Sequence, residues 1–212
     1  MFHSIIFDLD GTLVDSYPAI LESLNYTRKW FHKNPLDLET VKKMVGKGIE
    51  NLIAQAIGAE NMAEGVKMFR ASYDETHRRE TFLLPDVYST LATLHRKGIK
   101  MSVASNKPSD YSKNILRHLG IDHFVIDCYG PDRGVSPKPD PAMLKTLMSL
   151  MDCTPEETLY VGDMALDVQT ARNAGVCVAL VPTGGGSVEE LQSAQPDFLL
   201  SRFSEVLDLF QI

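Results

Sequence analysis

The chain has 212 residues, a formal net charge of −7 and ordinary apolar, charged and aromatic fractions, enough for one large domain, or a core domain with a smaller insertion, without disulfide support. The acidic balance, with no Lys/Arg-rich run, argues against nucleic acid or an anionic membrane as the main partner. Cys128, Cys153 and Cys177 are scattered with no Cys-x-x-Cys, which suits a reducing cytoplasm, and no signal peptide or membrane span is expected.

The first element is an apolar run, Ile5-Ile6-Phe7, the length of one buried strand. It ends in two carboxylates one residue apart. In extended backbone alternate side chains share a side, so Asp8 and Asp10 face one cavity together. Gly11 lets the chain turn sharply and brings bare backbone close to a ligand. The carboxyl end of a strand is also where open α/β sheets bind ligands. Two carboxylates ~5 Å apart at an effective dielectric of ~20 repel by roughly 3 kcal/mol, so the pair attracts a cation, and an all-oxygen site suits Mg²⁺. A plain Asp-x-Asp-Gly turn is the alternative. A calcium loop of the EF-hand kind would need a helix before it and a Glu where this chain has Tyr17.

After Leu13 the period changes. Ile20, Leu21, Leu24 and Phe31 fall at helical spacing until Asn34-Pro35. Further helices are predicted over 38–44, over 49–57 up to Gly58, and over about 61–79, with Gly46-Lys47-Gly48 interrupting the first two. From Leu84-Pro85-Asp86 helix and strand alternate. Asp86 can cap a helix that Gly98 ends. Residues 99–104 read as a strand followed by Ser105-Asn106-Lys107, and Pro108 opens a helix that Gly120 closes. Residues 123–127 read as another short strand. The loop 130–139 carries Ser136-Pro137-Lys138-Pro139, a helix runs from Asp140-Pro141 to about Met151, and Thr154 and Glu157 have capping-box spacing. Residues 158–161 form a strand ending in Gly162-Asp163, 167–174 a helix stopped by Gly175, and 176–181 the last strong strand. Gly184-Gly185-Gly186 reads as a plain turn, because it lacks both Gly-x-Gly-x-x-Gly and the Lys-Ser/Thr of a phosphate loop. A short helix, an edge strand over 198–200 and a helix over 203–210 finish the chain. Five of the six histidines, His3, His77, His95, His118 and His123, are scattered and read as surface or core residues.

Strands alternating with helices predict an α/β fold, a doubly wound, Rossmann-like parallel sheet with right-handed crossovers. The helical stretch falls between the first strand and the rest. The expected division is therefore a core of residues 1–14 and 84–212, with an α-helical cap of residues 15–83 inserted over the end of strand one as a lid. In a parallel sheet the segments carrying Asp8 and Asp10, Ser105 and Asn106, Lys138, and Asp163 with Asp167 open onto one edge. Singly, each has a plainer role: Ser105 and Asp163 as helix caps, Asn106 as a turn residue, Lys138 as a solvated loop lysine, Asp167 on a solvent face. Together they make a phosphoryl-transfer site. Mg²⁺ and Lys138 offset the repulsion between a phosphate monoester and the acids. The Ser105 hydroxyl, with the backbone N–H groups of Leu9 and Asn106, can hold the equatorial oxygens, and Gly11 and Thr12 complete the substrate-binding candidates. Asp8 can attack phosphorus, while Asp10 can protonate the leaving oxygen and then deprotonate the attacking water.

The run Asp8-Leu9-Asp10-Gly11-Thr12-Leu13-Val14-Asp15-Ser16 resembles the first motif of the haloacid dehalogenase superfamily of phosphatases. Ser105 resembles its second motif, Lys138 in Pro137-Lys138-Pro139 its third, and Gly162-Asp163-Met164 with Asp167 its fourth, in order along essentially the whole chain. The resemblance implies Asp8 as nucleophile and Asp10 as acid and base. It also implies Mg²⁺ held by the Asp8 carboxylate, the Asp10 backbone carbonyl and Asp163, with Asp167 assisting, under a helical cap. Ser105-Asn106-Lys107 and Val45-Gly46-Lys47-Gly48-Ile49-Glu50 are most similar to phosphoglycolate phosphatases and related small-phosphate or pyrophosphate hydrolases. That likeness implies a small phosphorylated metabolite such as 2-phosphoglycolate, with Lys47 either leaning into the closed site or standing as a solvated turn lysine. Val181-Pro182-Thr183-Gly184 departs from the aromatic-Gly-Tyr-Gly segment of many phosphoglycolate phosphatases. Inorganic pyrophosphatase and sugar-phosphate mutase are rival readings within the superfamily. A non-enzymatic phospho-aspartate signalling module is the rival of another class; it lacks both a cap insertion and an acid placed like Asp10. The expected protein is a cytoplasmic monomer or homodimer.

Overall fold

A computed structural model describes residues 2–211. The first half of the chain runs β1 (Ser4–Phe7), β2 (Val14–Asp15), α1 (Tyr17–Trp30), α2 (Leu38–Met44), α3 (Ile49–Ile57), α4 (Met62–Arg79) and β3 (Phe82–Leu83). Then come α5 (Val87–Arg96), β4 (Lys100–Ala104), α6 (Ser109–His118), β5 (Cys128–Tyr129), α7 (Ala142–Met151) and β6 (Thr158–Gly162). Last are α8 (Ala165–Ala174), β7 (Cys177–Leu180), α9 (Val188–Ser193), β8 (Phe198–Leu199) and α10 (Val206–Leu209). Six strands pair in parallel in the order β5-β4-β1-β6-β7-β8.

Side-chain alternation along β1 explains the layers. Ile5 and Phe7 face one side and pack with Val87, Leu91 and Leu94 of α5, Ile115 and Leu116 of α6, and Phe203, Val206 and Phe210 near the C-terminus. Ile6 faces the other side, with Met143, Leu144 and Leu147 of α7 and Val168 and Ala171 of α8. A strand covered on both faces reads as a continuous apolar run, as β1 does. Phe7 aligns with Val103 of β4 and Val161 of β6, so the residues that follow these strands emerge at one rim.

The helices α1 to α4 form a block with its own apolar core, including Ile20, Leu24, Ile53, Ile57, Phe69 and Tyr73. The block joins the sheet through a two-stranded antiparallel ribbon, β2 with β3, which hydrophobic patterning did not reveal. Two other expectations change. The strand predicted over 123–127 lies later: Asp122–Phe124 form a 3₁₀ turn and the strand is Cys128–Tyr129. The intervening residues already bond β4, Ile126 N–H to Met101 O and Val103 N–H to Asp127 O, but Ile126 is exposed at this edge. Asp86 does not cap α5 with its side chain; its backbone is left-handed and its carboxylate accepts the Ser204 hydroxyl. Among the described residues no helix is long and apolar enough to cross a membrane.

Candidate active site

Each functional side chain at the rim is placed by the local chain. Asp8 follows β1 directly, with its N–H bonded to the Val161 carbonyl of β6. Its carboxylate Oδ1 accepts the Leu9 N–H at 2.7 Å, and Oδ2 pairs with Lys138 Nζ at 2.7 Å. Lys138 also reaches Asp167 Oδ1 at 2.7 Å and the Tyr160 hydroxyl at 3.1 Å, with its side chain only 2% exposed. Asp167 sits in the first turn of α8 and accepts the Asp163 and Met164 N–H groups on Oδ2, which closes the start of that helix. Asp163 follows β6. Its Oδ1 accepts the Thr12 hydroxyl and its Oδ2 the Gly185 N–H.

Two glycines make room for Asp163. A side chain on Gly11, whose φ is +82°, or on Gly184 would collide with its carboxylate. The glycine run expected to be a plain turn therefore packs onto the site, and the neighbouring Thr183 hydroxyl donates to the Gly11 carbonyl.

The charge balance at the rim is uneven. Asp8, Asp163 and Asp167 place carboxylate oxygens within 4.8 Å of one another, all buried, with the Lys138 ammonium between Asp8 and Asp167. Burial, reinforced by Asp167 and opposed by Lys138, pushes the Asp8 carboxyl up to about 6. Burial together with Asp167 and Asp8 holds the Asp163 carboxyl well above the ordinary range. Burial alone would lower the Lys138 ammonium; Asp167 and Asp8 outweigh it and raise it. Three carboxylates against one ammonium leave a deficit of positive charge. A donor set made only of oxygens fits a hard divalent cation such as Mg²⁺.

Asp10 takes a different position. Its carboxylate Oδ1 pairs with Lys107 Nζ at 2.8 Å and accepts the Ser16 hydroxyl, and it lines a cavity rather than joining the carboxylate trio. The cavity, of about 70 Å³, lies between the rim and the helical block. Asp8, Asp10, Ser105, Asn106, Lys107 and Lys138 line one side. The Ser105 hydroxyl accepts the Lys107 N–H at 3.4 Å. Asn106 accepts the Lys138 N–H and donates to the Lys138 and Gly46 carbonyls, so it ties two loops together.

Three candidates stand elsewhere than expected, and Lys47 takes the second of its two expected places, on the surface. The Leu9 N–H bonds Asp8 rather than facing the cavity, Gly11 backs Asp163, and the fully buried Thr12 hydroxyl holds Asp163, so these three support the site from behind. Lys47 is exposed and outside the cavity lining; its neighbours Gly46 and Gly48 line it instead. Sequence reasoning missed Lys107, Tyr73, Tyr160 and the glycines around Asp163. A lone tyrosine in the apolar run of β6 and a lysine directly after the Ser-Asn strand end were the available signals.

A parallel sheet with four acids, two lysines and a serine gathered at one rim defines a phosphoryl-transfer type of hydrolase, and comparison with known proteins places it. The chain belongs to the haloacid dehalogenase-like hydrolases, whose family model matches residues 5–181. It is 31% identical to a phosphoglycolate phosphatase of Vibrio cholerae over 215 residues, covering 97% of this chain and 95% of that one. It is 34% identical to a phosphoglycolate phosphatase of Rhodospirillum rubrum over 192 residues, covering 85% of this chain and 80% of the relative. Among solved structures, a haloacid dehalogenase-like family hydrolase from Streptococcus pneumoniae superposes with a TM-score of 0.89 at 27% identity, covering 99% of each chain.

Proposed function

We propose that the protein is a Mg²⁺-dependent phosphatase that hydrolyses a small phosphate monoester through an aspartyl phosphate on Asp8. The observation that carries the reading is the Asp8 carboxylate, buried at the strand end, oriented by Lys138 and the Leu9 N–H, and lining the same cavity as Asp10 and Ser105. Residues 15–83 act in this reading as a cap over a core of residues 1–14 and 84–212. Asp8, Asp163 and Asp167 would hold the ion, with the Asp10 carbonyl as a further oxygen. When bound, it supplies the positive charge that lets a phosphate dianion approach these acids.

The chain's own residues then divide the work. Lys138 fixes Asp8 for attack, and its charge, with the Ser105 hydroxyl and Asn106, favours the crowded oxygens around phosphorus. The Asp8 oxygen–phosphorus bond forms as the phosphorus–leaving-oxygen bond breaks, and Asp10 gives that oxygen its proton. Water then attacks phosphorus, loses a proton to Asp10, and frees Asp8 and inorganic phosphate. The names of the curated relatives make 2-phosphoglycolate the first substrate to try.

The test is acid quenching after mixing with a ³²P-labelled monoester and Mg²⁺. Label is expected on the protein, released by hydroxylamine and missing from Asp8→Asn. Full turnover in Asp8→Asn would overturn the reading.

A further inference from the structure

Lys107 is a buried ammonium that the mechanism above leaves without a role, and its contacts join three parts of the molecule. Its side chain is 7% exposed, with Nζ 2.8 Å from Asp10 Oδ1 and 2.6 Å from the hydroxyl of Tyr73, which it bonds as donor. Tyr73 comes from α4 of the helical block. Its ring is fixed by stacking on Phe69, at 5.2 Å between centroids, and by an edge contact with Tyr111, also at 5.2 Å. The ammonium lies 4.9 Å from the centre of the Tyr73 ring, beyond its hydroxyl edge, so the contact with Tyr73 is the hydrogen bond itself. The preceding residue, Asn106, donates to the Gly46 carbonyl of the same block at 2.9 Å. Two consecutive residues after β4 therefore grip the helical block at two separate points.

The way Asp10 is held adds a second observation. Both of its side-chain partners, Lys107 and the Ser16 hydroxyl, bind Oδ1. Oδ2 has no protein partner among the described residues, while Asp10 lines the cavity. A carboxyl pinned by one oxygen has a fixed plane and one oxygen left for exchange with a reacting group. Proton transfer is steep in geometry, and a ~1 Å misplacement of a catalytic group can cost on the order of 10²-fold in rate.

We propose that Lys107, anchored on Tyr73, is the positioning residue for Asp10, so that the leaving oxygen can receive its proton only while the helical block is docked on the sheet. The proposal rests on the reading of Asp10 as acid and base. In the step concerned, the phosphorus–oxygen bond of the substrate breaks, its electron pair stays on the leaving oxygen, and that oxygen takes the proton from Asp10. Lys107 neither gives nor takes a proton; it sets the direction of the carboxyl. Tyr73 carries that constraint from the block to the rim. A block that lifts away takes the Tyr73 hydroxyl with it and frees Lys107, which disarms Asp10 when the cavity is open to water.

The test uses two leaving groups. An alkyl phosphate such as 2-phosphoglycolate or glycerol phosphate needs protonation of its leaving oxygen. A 4-nitrophenyl phosphate does not, because its phenolate departs unaided. The quantity read is kcat/KM, which reports the step that expels the leaving group, for wild type, Lys107→Met, Tyr73→Phe and Asp10→Asn in Mg²⁺. Lys107→Met is expected to lose on the order of 10²-fold on the alkyl ester and far less on the aryl ester. Tyr73→Phe, which keeps the packing and removes one hydroxyl, is expected to lose up to about tenfold on the alkyl ester alone. Lys107→Arg should regain part of the loss. In the double variant with Asp10→Asn, Lys107→Met should cost little more, since the group it positions is gone.

Equal losses on both esters, or full additivity with Asp10→Asn, would overturn the proposal and leave Lys107 a partner of the fold. If Asp10→Asn itself kept alkyl turnover, the reading of Asp10 would fail first, so the two failures are told apart. Tyr73→Phe with unchanged alkyl kcat/KM beside a defective Lys107→Met would remove the link to the block.

Discussion

Across the cavity the two walls have opposite chemistry. On the rim side, Asp8, Asp10, Lys107 and Lys138 are each held by a charged partner. On the block side, the lining is Ile20, Val45, Ile49, Leu52 and Phe69, with Tyr73 and the backbone of Gly46 and Gly48. In the proposed reading the rim acts on the phosphoryl group. The block would, in the same reading, meet the remainder of the substrate and keep water out, which would strengthen every charge interaction at the rim. Damage to the rim should thus cost stability and chemistry together, whereas damage to the block's own core, away from Tyr73 and the cavity lining, should cost stability while leaving the chemistry intact.

The largest effect is expected from Lys138→Met. Removing one partner from a buried charge cluster leaves Asp8 and Asp167 uncompensated, at a cost of about 3–5 kcal/mol. Melting should fall sharply and phosphorylation of Asp8 should disappear even at temperatures where the variant is folded. Leu24→Ala tests the other wall. Leu24 is fully buried in the block's own core and does not line the cavity, so truncation should cost about 2–5 kcal/mol. At temperatures where it stays folded, kcat on a small monoester should remain near the wild-type value. If both variants lost chemistry equally while folded, the division between the walls would break.

The charge imbalance at the rim predicts how stability follows pH. Burial raises the Asp8 carboxyl from 3.8 to about 6, so in that window the folded protein holds a proton that the unfolded chain has released. The metal-free protein should lose stability as pH rises through the window, by up to ~3 kcal/mol from this group. Mg²⁺ acts in the opposite sense, because it binds the ionised carboxylates. In EDTA the melting temperature should be higher at pH 5 than at pH 7.5, and the gain on adding Mg²⁺ should be larger at pH 7.5. An equal gain at both values would mean that the ion, if it binds, does not bind Asp8.

How much of this could be read from residue order follows from the range of the forces. The helices α2 and α3 start and stop at the expected residues because their signals are local: Asp37 accepts the Thr40 N–H at one start, and Gly58 stands at the other end. The rim was legible for a similar reason. Asp8, Ser105 and Asp163 each lie just past a strand, and parallel pairing carries them to one edge. What was not legible depends on distant pieces meeting. Lys107 finds Tyr73 across 34 positions, and Gly184 meets Asp163 only once β7 lies beside β6. The short edge strand β5 and the ribbon of β2 with β3 each have two residues, too few to set a period.

The smallest effect expected belongs to Lys47, and it decides whether the block is as neutral toward the substrate as its lining suggests. A cation there would be the natural partner for a carboxylate on the leaving group, as in 2-phosphoglycolate. The loop instead presents Gly46 and Gly48 to the cavity and leaves Lys47 exposed. Lys47→Ala should change stability by no more than ~0.5 kcal/mol, the range for an exposed side chain without special contacts. Its kcat/KM should stay close to wild type on both 2-phosphoglycolate and an uncharged alkyl phosphate. A tenfold loss confined to the carboxylate-bearing ester, worth about 1.4 kcal/mol, would mean that substrate draws Lys47 inward. The block would then take part in recognition through charge, and the contrast between the two walls would hold only for the empty cavity.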